Sequence, residues 1–133
     1  MSNFEFELAK EEKKDDALHI NAKRDTVTGY VTVYRFNDKD TKQFVLYAPS
    51  FEITGYGETN EKALIMLKEA LYELFTSYLV MSSSQLHREL SKLGWKQNRF
   101  RHKDFSKVVV DADGSLKNFN ASEDTIERFA LVA

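Results

Sequence analysis

The sequence predicts an α+β fold: an antiparallel sheet of three to five strands with one long helix packed on a face, followed by an α/β C-terminal elaboration. Three observations predict it. The runs Tyr30–Phe36 and Gln43–Ala48 are β-branched and aromatic, and the polar residues Asn37–Thr41 between them read as a hairpin turn. From Thr59 onward, apolar residues recur at steps of three and four over about five helical turns. The chain is 133 residues long with 42% hydrophobic residues, enough to build a core without cross-links.

Residues 1–28 read as an extension with two short strands. Phe4, Phe6 and Leu8 alternate with polar neighbours, and so do Leu18, Ile20 and Ala22. Lys10 to Asp16 contains no apolar residue and reads as a solvated loop, with a helix across 8–18 as the alternative. Residues 29–80 form the predicted core. Its hairpin ends at Pro49, which has no N–H for a ladder, and Phe51–Thr54 can pair briefly before Gly55 and Gly57 permit a bend. Thr59 then caps the long helix, with Glu58 and Glu61 suited to its positive end. Ala63, Leu64, Leu67, Ala70, Leu71, Leu74, Phe75 and Tyr78 form its buried stripe.

Residues 81–133 read as an accessory segment of helix, hairpin and short helix. Ser82–Ser84 can cap a helix carrying Leu86, Leu90 and Leu93, and Gly94 suits its left-handed end. Phe105–Val110 reads as a strand, Asp113-Gly114 as a two-residue turn, and Ser115–Phe119 as the returning strand. Ser122 is expected to cap a last helix with Ile126, Phe129 and Ala130 inward.

Composition excludes several chemistries. There is no cysteine, which removes disulfides, thiolate nucleophiles and cysteine-held zinc. The net charge of −2 and the short apolar runs predict a soluble cytoplasmic protein that does not enter membranes. The opening Met1–Glu7 has no basic segment before an apolar one, so no secretory signal is expected. His19, His87 and His102 share no ligand spacing, and Asp111-Ala112-Asp113-Gly114 lacks the longer acidic series of a calcium loop. No serine lies in a nucleophile elbow, and Gly55-Tyr56-Gly57 lacks the lysine and further glycine of a phosphate loop. No catalytic residue, metal ligand or cofactor site is therefore expected, and the chain reads as a non-enzyme.

Charge is unevenly spread. Residues 1–80 carry a net −4, residues 81–107 a net +5 and residues 108–133 a net −3. In the basic segment, Arg88, Lys92, Lys96, Arg99, Arg101, Lys103 and Lys107 are interleaved with Trp95, Phe100 and Phe105. Cations neutralise phosphates and aromatics stack on unpaired bases, so this segment is a candidate surface for nucleic acid. An acidic protein partner would suit the same cations, and Trp95 and Phe105 can equally be core residues.

The stretch from Phe44 to Leu64 resembles the HicB-like antitoxin family, over roughly residues 29–80. The family pattern is a hairpin, a proline-ended strand and a short third strand, followed by a glycine-acid-threonine helix start. Here those positions are Gly57, Glu58, Thr59, Glu61, Ala63 and Leu64. The resemblance implies a β-β-β-α-β domain like a truncated ribonuclease H fold without its carboxylates. It further implies a non-catalytic, homo-oligomeric antitoxin or regulatory module that binds a HicA-like toxin. The usual DNA-binding tail is not recognisable in residues 81–133. Ser84–Lys96 resembles the opening helix and Gly-aromatic turn of HicA-like toxins. Their Gly-Ser-His context is replaced by Arg101-His102-Lys103, so no fused active toxin is expected. On the sheet, the hairpin strands 29–36 and 43–48 are the expected pairing edges. The alternative is a stand-alone accessory domain that binds RNA or another protein through residues 88–107.

Overall fold

A computed structural model describes residues 6–10 and 15–132. Among these, eight strands form one open antiparallel sheet: β1 (Glu7–Lys10), β2 (Asp16–Asn21), β3 (Thr26–Asn37), β4 (Phe44–Ala48), β5 (Ile53–Gly57), β6 (Lys96–Gln97), β7 (Asp104–Lys107) and β8 (Glu127–Val132). The helices are α1 (Asn60–Leu79), α2 (Ser83–Lys92) and the single turn α3 (Ala112–Ser115), with a 3-10 turn at Glu123–Thr125. The fold class is mixed as expected, but the sheet has eight strands where three to five were expected. No helix among the described residues is long and apolar enough to cross a membrane.

β3 organises the sheet. One edge pairs with β8 over residues 30–35, with Val31 opposite Leu131 and Val33 opposite Phe129. The other edge is shared: β2 pairs with residues 26–30 and β4 with residues 34–37. The sheet therefore forks, one branch running β2-β7-β6 and the other β4-β5, while β1 pairs outside β8. Strands 29–36 and 43–48 are consequently interior rather than available edges. The outer strands are β1, β5 and β6.

Alternation sends neighbouring side chains of β3 to opposite faces. Val27, Val31 and Val33 join Leu18, Ile20, Leu46 and Leu131 under α1. Tyr34 and Phe36, with Val45, meet Leu116 and Ala121 on the other side, beneath the segment that carries α3. Helix α1 is capped as its sequence predicts: Thr59 Oγ1 accepts from Lys62 N at 3.1 Å, and Ala63, Leu67, Leu71, Phe75 and Tyr78 are buried. The strand before it corrects the expected bend. β5 continues through Gly55 to Gly57, and the glycine serves close packing: a Cβ at Gly55 would lie 2.3 Å from the Ala63 carbonyl oxygen and 2.7 Å from Leu67 N. The missing side chain lets helix backbone lie directly on strand backbone.

Helix α2 begins at Ser82, whose Oγ accepts from Gln85 N, and ends in a Schellman arrangement. Gly94 has φ +90°, its N–H donates to Ser91 O, and Trp95 N donates to Leu90 O, both at 3.0 Å. Beyond it, three expectations fail. The strand near Phe105 is Asp104–Lys107 and does not reach Val110. Asp113-Gly114 is no hairpin turn: Asp111 caps α3 by accepting from Gly114 N at 3.0 Å, and Ser115–Phe119 does not return as a strand. The expected last helix is strand β8, and Ser122 makes no side-chain cap. Ala130 and Leu131 are both fully buried, because β8 is covered on both faces and flanked by β1 and β3.

At the start of the chain, β1 and β2 stand as the alternation predicts, while Phe4 and residues 11–14 lie outside the described residues. The expected solvated run is corrected at its end. Asp16 has no exposed surface and begins β2.

Candidate contact surface at the β6–β7 hairpin

The contact candidates singled out in the sequence separate into four groups. Trp95 is in the core: it is 2% exposed, stacks on Phe51 at 5.2 Å and donates from Nε1 to Ser50 O at 3.0 Å. Lys107 lies at the far end of β7, opposite Asp16 in register, where burial pulls its ammonium below the usual range against Glu52 and Asp16. Arg88 and Lys92 stand on the exposed side of α2, with Lys92 paired to Glu89 at 3.2 Å. Lys96, Arg99, Arg101 and Lys103 gather on the β6–β7 hairpin. Of the motif residues, Gly57, Glu58, Thr59, Glu61, Ala63 and Leu64 build the junction into α1, and Glu58 pairs with Lys62 at 3.6 Å.

The hairpin loop, residues 98–103, is held by its own polar groups. Asn98 Oδ1 accepts from both Phe100 N and Arg101 N at 2.9 Å, an Asx-type turn. Asn98 N donates to Asp104 O at 2.8 Å and Asp104 N to Arg101 O at 2.9 Å. The Gln97 amide donates to His102 O at 2.8 Å, and His102 Nε2 lies 3.0 Å from Arg99 O. Ile20 N donates to Lys103 O at 2.9 Å, which ties the loop to β2. At the tip, Phe100 is 91% exposed between Arg99 and Arg101. A large aromatic presented this way is the unusual feature of the surface, since such rings are ordinarily covered.

Two cavities flank the hairpin. The first, about 390 Å³, lies over the outer face of β2, β7 and β6 and is lined by Thr28, Lys96, Asn98 and Arg101 among others. Here Asp104 is engaged twice, by His19 Nδ1 at 2.5 Å and by Arg101 Nε at 3.3 Å. The second, about 540 Å³, lies between the hairpin, α2 and the β2–β3 turn. It brings Lys23 and His87, which lie far apart in the sequence, together with the adjacent His102 and Lys103 of the hairpin. Among the described residues no three of His, Asp and Glu converge as a metal-ligand set. Comparison with protein-family models, with curated proteins and with solved structures found no match.

The other polar centre is the fork. On the edge where β2 and β4 part, no strand among the described residues pairs with β3 residues 31–33, and the Asp16 carboxylate occupies that gap. Oδ1 accepts from Thr32 N at 2.9 Å and Thr32 Oγ1 at 2.7 Å, and Oδ2 accepts from Ser50 Oγ at 2.6 Å. Burial raises the carboxyl above its ordinary range, opposed by hydrogen bonds from Ser50 and Thr32 and more weakly by the charge of Arg128. These bonds tie β2 to β3 and to the turn after β4, which gives Asp16 a structural part.

Proposed function

We propose that this protein is a non-catalytic binding module whose contact surface is the β6–β7 hairpin, and that the surface takes single-stranded RNA. The observation that carries the reading is Phe100, held out by Asn98 between Arg99 and Arg101. Base stacking on an exposed ring tolerates any sequence, and adjacent cations supply the phosphate contacts. Because the loop is already braced, little ordering entropy opposes binding. The test is fluorescence anisotropy with labelled oligouridylate at two salt concentrations. Binding that weakens with salt and with Phe100→Ala is expected, and oligouridylate binding that is absent or indifferent to both changes overturns the reading.

The second reading is the HicB-like one, an antitoxin or regulatory protein that binds a HicA-like toxin and self-associates. Its support is the junction at Gly55, Gly57 and Thr59, together with the outer position of β5, which carries Tyr56 half exposed. An outer strand leaves ladder groups open to another chain, although on β5 the Tyr56 N–H already donates to Met66 Sδ at 3.5 Å. Mixing with a HicA-like toxin is expected to give a stable complex that no longer cleaves mRNA. Unimpeded cleavage, together with monomeric sedimentation, removes this reading and leaves the first untouched.

A further inference from the structure

We propose that the cavity between α2 and the β6–β7 hairpin binds the phosphate ester of a nucleoside, either free or as one unit of a strand. It has two parts with different chemistry. Ile20, Tyr78 and Phe105, each under 5% exposed, contribute an apolar floor, and at about 540 Å³ the space lies within the range of small-molecule sites. Around it stand Lys23, His87, His102 and Lys103, all exposed.

No carboxylate lines this cavity among the described residues, in contrast to the neighbouring one, where Asp104 already engages His19 and Arg101. Burial, with a smaller effect from Glu89, pushes the Tyr78 phenol up to about 12, so the floor adds no negative charge at neutral pH. The lining thus sets two lysines and neutral polar side chains, among them Asn21, Ser83 and Gln97, around an apolar floor. A ligand with a flat apolar body and an anionic group matches both parts, and a nucleoside phosphate has that form. The Ile20 N–H donates to the Lys103 carbonyl at 2.9 Å, which fixes the backbone from which the Lys103 side chain leaves at the cavity rim.

The cavity extends the RNA reading to a second contact, but free nucleotide binding does not depend on the tip. The experiment is calorimetric titration of the full chain with AMP, adenosine, and the dinucleotide ApA with and without a 5′-phosphate. AMP binding is expected, with adenosine weaker by roughly tenfold or more, the size of a charge-assisted contact. The double substitution Lys23→Ala and Lys103→Ala should weaken AMP by a similar factor while circular dichroism stays unchanged. Tighter binding of the 5′-phosphorylated dinucleotide assigns the site to a strand end, and equal binding of the two assigns it to an internal linkage. Equal binding of AMP and adenosine, or no AMP binding by the folded chain at millimolar ligand, overturns the proposal. AMP binding without oligouridylate binding removes the hairpin reading and keeps the cavity, and the reverse pattern removes the cavity alone.

Discussion

The fork at Asp16 and the tip at Phe100 invert the usual placement of their residue types. At the fork a carboxylate is sealed inside, and at the tip a phenyl ring stands in water. Each inversion is supported by hydrogen bonds, from Thr32 and Ser50 to Asp16 and from the Phe100 and Arg101 amides to Asn98. The difference lies in what those bonds join. At the fork they join β2, β3 and the turn after β4, so the group is part of the frame. At the tip they close a loop on itself, and the frame does not need the ring. A polar group bonded across elements holds the fold, whereas an apolar group held out by local bonds is free to meet a partner.

The largest effect should come from breaking the fork. Asp16→Ala leaves the Thr32 amide and two hydroxyls without their acceptor in a buried place and should cost about 3 kcal/mol in urea unfolding. Asp16→Asn keeps an acceptor for Thr32 and should stay within about 1 kcal/mol of wild type. Equal losses from the two would mean that charge, not acceptance, is what the fork requires.

Next comes the contact between β5 and α1, which tests the frame where no polar group is involved. Gly55→Ala places a methyl against helix backbone that has no rotamer to move, and should cost about 2 kcal/mol. An unchanged urea midpoint would show that α1 can lift from the strand freely.

Phe100→Ala sharpens the other side of the comparison. Stability should move by no more than about 0.5 kcal/mol, since the ring covers nothing. Oligouridylate affinity should fall about tenfold, the low end of what one stacked base contributes. A large drop in melting temperature would place the ring in the frame after all.

The smallest effect is the pH response of the fork. The folded-state pKa of Asp16 is raised above 3.8, so between that value and the folded pKa the native chain binds more protons than the unfolded one. Stability from this group therefore increases as pH falls through the window, and the cost of burying the charge is fully present above it. Wild type should gain on Asp16→Asn as urea midpoints are compared from neutrality down towards pH 4. A constant gap across that range would contradict the shift.

Much of the frame was legible because its signals are local. The hairpin of β3 and β4, the Thr59 cap, the stripe on α1 and the Gly94 end of α2 each follow from residues within a few positions of one another. β8 was not legible for the same reason. Ile126, Phe129 and Ala130 have helical spacing, and a strand buried on both faces shows a continuous apolar run instead of alternation. Asp113-Gly114 misled because the bond from the Gly114 amide to Asp111 Oδ1 serves a tight turn and a helix start alike. Asp16 sat at the end of a charged run, and only the gap between two distant strands explains its burial. Among the candidate contact residues, the basic cluster could be read as composition, but the convergence of Lys23 and His87 with the hairpin depends on tertiary packing.

The position of β8 has a consequence for synthesis. A chain emerging from the ribosome exposes β3 and the whole of α1 well before residues 127–132 appear, so for that interval the longest strand has a bare edge over residues 30–35. β1, although translated long before β8, finds its strand partner among the described residues only when β8 has docked. Such a nascent intermediate is open to pairing with its own copies on a polysome. A message truncated before codon 127 should therefore yield insoluble product rather than a smaller soluble one.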